Sequence, residues 1–283
     1  MYRPDKPFYG LGNNSGSDKR FYQLQMNEAE LSLRAALEDL NRVSMGLLYR
    51  NARISNGKSP SVDGPDSPFN VNDPYSVPGF GKSYNLLIAR VKLEFDTRSP
   101  DRPFTPGSGL RLEAFSSFSL DVNNTDLRFL RWGGEVAGFL DLSGINHVLA
   151  LRIYTEILED LGETAVPITE RIVVGGSEYL RGFLRGRFRS DSAFVVTADY
   201  RYPIHAIFDA NIFLSLGNVF DGRLSNLRIP GMVMSWGIGV RSNTSRNVSF
   251  DIMVAFGSNQ LGEWDEDFDL DNIRFLVGIN QGF

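Results

Sequence analysis

Apolar and polar residues alternate with a period of two along most of this chain, the signature of strands that present one face to each of two media. Between Tyr84 and Arg98, Leu87, Ala89, Val91, Leu93 and Phe95 alternate with Arg90, Lys92, Glu94 and Asp96. Between Val148 and Glu159, Leu149, Leu151, Ile153 and Ile157 oppose Arg152, Tyr154 and Glu156. Phe194, Val196, Ala198, Tyr200 and Tyr202 oppose Thr197, Asp199 and Arg201, and Val248, Phe250, Ile252, Val254 and Phe256 oppose Ser249, Asp251 and Gly257. The pattern predicts strands near 2–10, 21–35, 38–51, 84–98, 109–120, 126–140, 147–159, 191–203, 207–217, 232–242, 246–257 and 273–283. Most of these runs are about 10 to 14 residues, the length a tilted strand needs to cross hydrocarbon. Strands of soluble sandwiches are usually about 5–6 residues.

Charges in mid-strand on the polar phase suit a hydrated lumen. Aromatics gather toward run ends, at Tyr49, Tyr200, Tyr202, Trp236 and Phe283, where an interfacial girdle would lie. Long connections (51–83, 160–190, 218–231, 258–272) alternate with short ones (35–38, 141–146, 203–206, 242–245). Short turns belong on the periplasmic side and long loops outside, so both termini are expected in the periplasm. The expected fold is all-β: one transmembrane antiparallel up-and-down β-barrel of about twelve strands, an even number. It forms a single domain over 1–283, with an inserted loop at about 160–190. Pro4 and Pro7 cannot donate to a ladder, so the first run is expected at an edge.

Composition changes this picture little. The mean hydropathy of −0.18 resembles a soluble protein's, but a barrel exposing alternate residues to lipid looks the same. A soluble β-sandwich is the competing fold. No uninterrupted apolar stretch is long enough for a membrane-spanning helix. With no cysteine, neither a disulfide framework nor a thiolate metal site is available. The net charge of −5 and the lack of a basic stripe argue against nucleic acid. The start, Met1-Tyr2-Arg3-Pro4-Asp5, is not a signal peptide, so the barrel reading expects a mature segment given a start methionine.

Three stretches resemble one family, the eighty-five-kilodalton outer-membrane protein superfamily of BamA/TamA-like barrels. Gly175-Gly176-Ser177-Glu178-Tyr179-Leu180-Arg181-Gly182-Phe183 is similar to the family's loop signature, an arginine between an apolar residue and Gly-aromatic. Phe95-Asp96-Thr97-Arg98, with the turn leading to Gly107, resembles a family strand-turn. The carboxyl end from Phe275 to Phe283 resembles a barrel-sorting signal. The resemblance implies that the loop folds back into the barrel and that Arg181 pairs with acids on the two following strands. Asp199 matches the first acid. Ser215, in Phe213-Leu214-Ser215-Leu216-Gly217, stands where the second belongs. Family barrels usually have about sixteen strands and follow periplasmic POTRA domains. This sequence has room for about twelve strands, with no such domain ahead of them.

The expected function is membrane-protein or lipid insertion or translocation at the outer membrane, through a weak seam between first and last strands. The proline-bearing first strand and Gly278 with Gly282 in the last are expected to weaken that seam. Expected partners are outer-membrane lipids and lipopolysaccharide, the barrel assembly machinery through the C-terminal strand, and a protein client. No enzyme activity, cofactor or metal is expected. A passive pore or structural barrel is the alternative, and an outer-membrane phospholipase-like enzyme the third. His147 and His205 share no face, and no G-x-S-x-G elbow is present. Gly79-Phe80-Gly81-Lys82-Ser83 imitates a phosphate loop but leads into a strand. Glu263, Asp265, Glu266, Asp267, Asp269 and Asp271 lack calcium-ligand spacing. Arg90, Glu94, Arg111, Glu113, Arg152 and Glu156 are expected to form a wall of compensating charge.

Overall fold

The alternating runs become one sheet. A computed structural model describes residues 2–12, 20–38, 40–57, 77–98, 107–144, 147–205, 208–225, 227–242, 248–263 and 272–281. The strands are β1 (Tyr2–Phe8), β2 (Arg20–Glu38), β3 (Asn41–Asn56), β4 (Ser83–Asp96), β5 (Gly109–Asp121), β6 (Arg128–Asp141) and β7 (Val148–Asp160). After a loop bearing β8 (Ile172–Val174) and β9 (Phe188–Ser190) come β10 (Ser192–His205), β11 (Phe208–Phe220), β12 (Val233–Ser242), β13 (Val248–Gln260) and β14 (Asn272–Gln281). Twelve of them pair in chain order, all antiparallel, from β1 to β14, while β8 and β9 form a separate hairpin. This is the expected up-and-down barrel. The twelve predicted runs correspond one to one with its twelve strands.

Three local differences have physical causes. The first tight hairpin was expected at 35–38, yet β2 continues to Glu38, pairing Ala36 with Arg42 and Glu38 with Asn41. Ala35-Ala36-Leu37 contains no residue that ends a strand. The loop after β7 is also not irregular throughout, because Ile172, Val173 and Val174 pair with Ser190, Arg189 and Phe188. Finally, β1 pairs with β2 only from Tyr2/Gln25 to Phe8/Arg20, with a register shift between Arg3 and Lys6 across Pro4. Among the described residues, no ladder joins β1 to β14.

The outer face is apolar, as the alternation predicts. Leu31, Leu33, Met45, Leu87, Leu93, Leu112, Val136, Leu151, Ile153, Ile212, Ile252 and Phe275 all lie exposed on it. At the ends of this belt stand polar-tipped aromatics. The Tyr49 hydroxyl donates to Asn85 Oδ1 (3.0 Å), Trp132 Nε1 donates to Glu159 Oε1 (2.8 Å), and His147 Nδ1 lies 3.1 Å from the Tyr200 hydroxyl. Such side chains suit a boundary that is apolar on one side and wet on the other.

The inner face divides in two, which corrects the expectation of a lumen that is polar throughout. Toward the short turns it is charged, and the charges compensate one another. Arg90 pairs with Glu30, Lys92 with Glu94 and Glu113 (3.2 and 3.0 Å), and Arg111 with Glu113 (2.9 Å), while the Arg131–Glu156 pair (3.4 Å) sits nearer the inserted loop. Toward the long loops, Leu24, Leu48, Ile54, Leu86, Ile88, Phe129, Leu158, Val195 and Val219 turn inward. There they bury Val166, Ile168, Ile172, Val174, Leu180, Phe183 and Phe188 of the loop. The core therefore sits inside the barrel at one end, and a loop fills it.

Candidate functional site

The loop after β7 enters the barrel, turns, and leaves through β9. Its tip needs conformations that few residues supply. Gly175 has φ +108°, and a Cβ there would lie 2.4 Å from the Leu184 carbonyl oxygen. Leu180 is left-handed with φ +51°. That conformation costs a non-glycine residue roughly 1–2 kcal/mol, offset by burial of its side chain in the core. Gly182 N–H donates to Ser235 Oγ on β12 (2.7 Å). A Cβ on Gly182 would stand 2.0 Å from the Phe256 carbonyl oxygen of β13, so only glycine lies flat there. Phe183 packs on Gly257 of β13 and edge-on against Phe188 (4.9 Å between centroids). The Gly-Gly…Leu-Arg-Gly-Phe pattern thus docks main chain directly onto a strand wall.

Arg181 reaches β10 and β11. Its Nη1 donates to Asp199 Oδ2 at 3.0 Å, and its guanidinium stands 4.5 Å over the Phe213 ring. Arg201 Nε is 3.7 Å from the other Asp199 oxygen, so one carboxylate faces two guanidinium groups. Burial draws the Arg181 pKa below the usual arginine range, and the Asp199 charge opposes that drop. The Ser215 hydroxyl shares a hydrogen bond of 2.9 Å with Thr197. Beneath the tip, a cavity of about 150 Å³ is bounded by Ser177, Arg181, Asp199, Arg201, Asp209 and Arg241.

A second set of contacts, absent from the sequence expectations, fixes the near part of the loop to the opposite wall. Glu170 is buried and accepts from Arg50 Nη1 on β3 (2.5 Å) and the Tyr84 hydroxyl on β4 (2.8 Å). Arg131 of β6 donates to the Glu170 carbonyl. The Tyr179 hydroxyl donates to Glu135 Oε2 (3.0 Å), and its ring stacks on Tyr154 of β7 (4.1 Å). Arg50 and Glu170 lie 120 positions apart, so no local spacing could reveal the pair. The one sequence signal was Tyr84 on the inward phase of β4, an amphipathic residue facing the lumen.

The remaining candidates are dispersed. Arg98 grips Asp96 with two donors (Nε to Oδ1 2.8 Å, Nη2 to Oδ2 2.6 Å) and lies 4.6 Å over Phe139. Gly107 takes φ +63° on the return to β5. Phe275 projects outward, 78% exposed, whereas Phe283 and Gly282 lie outside the described residues. Gly278 lies opposite Asp251 in the β13–β14 ladder. A Cβ there would be 2.9 Å from both Asp251 carboxylate oxygens, so the glycine makes room for a lumenal acid. Gly79 to Ser83 form a turn and the start of β4, with Gly81 N–H on the Ile54 carbonyl (3.0 Å). Of the acidic stretch, only Glu263 is described.

A sheet with an apolar exterior, aromatic boundaries and a loop-filled interior defines a membrane-spanning β-barrel of the bacterial outer membrane. The family comparison agrees. The Omp85 superfamily domain model matches residues 5–283, and the chain belongs to that superfamily. Among solved structures it is similar to BamA from Haemophilus ducreyi lacking POTRA domains 1–3 (12% identity, TM-score 0.65). That match covers 98% of this chain and 57% of the other. It is also similar to CdiB from Acinetobacter baumannii (13% identity, TM-score 0.55), over 95% of this chain and 44% of that one. The chain thus spans about half the length of these relatives, and at such identities the likeness carries the fold. No curated protein matches it.

Proposed function

We propose that the protein aids insertion or translocation of membrane proteins or lipids through the seam between β1 and β14. One observation carries the reading: among the described residues the sheet runs from β1 to β14 and no ladder joins these two end strands. A strand edge without a ladder partner is a template for another strand, and the register shift between Arg3 and Lys6 thins the β1–β2 ladder next to it. The role is not enzymatic. Arg181, with Asp199 as its acid, keeps the loop seated while the seam works. Ser215 leaves that arginine with a single carboxylate. The expected orientation puts both termini in the periplasm, and the carboxyl strand is what the barrel assembly machinery engages.

Vesicles containing the purified protein, offered an unfolded outer-membrane barrel as client, test the proposal. The client should fold several-fold faster than in protein-free vesicles. An unchanged rate, together with a steady large conductance in planar bilayers, overturns it in favour of a passive pore.

A further inference from the structure

The loop tip touches both edges of the sheet. Arg274 lies on the inward phase of β14, between outward-facing Ile273 and Phe275. Its Nη1 donates to the carbonyl oxygens of Arg181 (3.0 Å) and Phe183. Nearly every other inner-wall cation described above faces a carboxylate, but this one fastens to main chain. Eight residues further along, the same loop is attached to the opposite edge. Gly12, just past β1, donates its N–H to the Arg189 carbonyl (2.8 Å). The Arg187 guanidinium stands 5.3 Å from the Tyr9 ring, and Arg189 Nη2 donates to the Tyr22 hydroxyl on β2 (3.4 Å).

We propose that residues 181–189 are a strap joining the last strand to the first hairpin from inside, with Arg274 as its fastening on β14. For its consequence, though not for its geometry, this rests on the seam reading. Where a ladder would join two strands by many shared bonds, a strap joins them by a few at each end. A guanidinium shared by two carbonyls is charge-assisted and directional. It holds only while the two oxygens keep their spacing, so a small shift of the tip loosens β14. At its other fixed point the tip stays on β10 through Arg181 and Asp199. Release of Arg274 therefore frees the edge strand and leaves the plug in place. Arg274 is a positioning residue, acting on the seam through the loop.

Hydrogen–deuterium exchange of the full chain in detergent, resolved by peptide, tests this. Arg274→Ala should speed exchange in β14 at least tenfold and leave β4 to β7 unchanged. Arg274→Lys should give a smaller rise, because an ammonium keeps the charge but not the planar fork. Tyr9→Leu should speed exchange in β1 and the start of β2, leaving β14 nearer wild type. An unaltered β14 in Arg274→Ala, or an equal rise in all strands, overturns the strap. If Arg274→Ala does not fold, absence of a local change in both Arg274→Lys and Tyr9→Leu does the same. The vesicle assay separates this from the proposed function. A loosened β14 with unchanged client folding leaves the strap standing and removes the seam reading. Client folding altered by Arg274→Ala with β14 exchange unaltered has the reverse meaning.

Discussion

The two ends of the barrel interior are built on different principles. At the long-loop end, wall and loop exclude water: Leu86 and Ile54 are fully buried against a plug of Val166, Ile168, Ile172 and Phe183. At the short-turn end, the same strands line an open, charged trough in which Arg90 and Glu30 are each more than a third exposed. One strand serves both. Along β4, inward Leu86 and Ile88 give way to Arg90, Lys92 and Glu94 within two residues. The difference teaches that a barrel wall must be read on three surfaces: lipid, water and plug.

Substitutions break this comparison in graded ways. Leu86→Asp places an uncompensated charge in the dry half and should cost roughly 3–5 kcal/mol, read as a lowered urea midpoint of the folded barrel. An effect below about 1 kcal/mol would show that water reaches the plug. Arg181→Ala lies between the halves. It leaves Asp199 with Arg201 as its remaining partner at 3.7 Å, and the expected loss is about 1–3 kcal/mol. Arg181→Lys should recover part of it, keeping the charge but losing the planar contact with Phe213. Arg90→Gln, in the wet half, should change stability by no more than about 0.5–1 kcal/mol, because its partner Glu30 is exposed and screened. A larger loss there would mean that the trough is dry as well.

Much of the fold was legible because lipid imposes the same demand on every strand. Strand existence, order and the outward phase all follow from period two. The interior was less legible, although a signal existed. Leu86-Leu87-Ile88-Ala89 and Ala193-Phe194-Val195-Val196 are apolar on both phases. Such runs mark strands buried on both faces, which here means lipid outside and plug inside. Arg181 and Asp199 came from a resemblance, and they lie 18 positions apart on adjoining structure. Arg274 could be read as lumenal from its phase, but nothing local says that its acceptors are carbonyls. Glu170 belongs to a loop without periodicity, so neither its burial nor its bond to Arg50 had a sequence correlate. Nothing local says that Gly278 also makes room for the Asp251 carboxylate, because that neighbour comes from the paired strand.

The seat of the loop tip also constrains the order in which the molecule is made. The tip precedes β10 in the chain, yet it docks on Ser235 and Arg274, 53 and 93 residues beyond the atoms they hold. Those partners do not exist as a wall until β12, β13 and β14 have been laid down. Contacts of such separation come late, since the chain between them must first be ordered. A barrel whose edges met early would trap the loop outside, with a hydrophobic hairpin stranded at its mouth. Biogenesis therefore has to keep the sheet open until the plug is home.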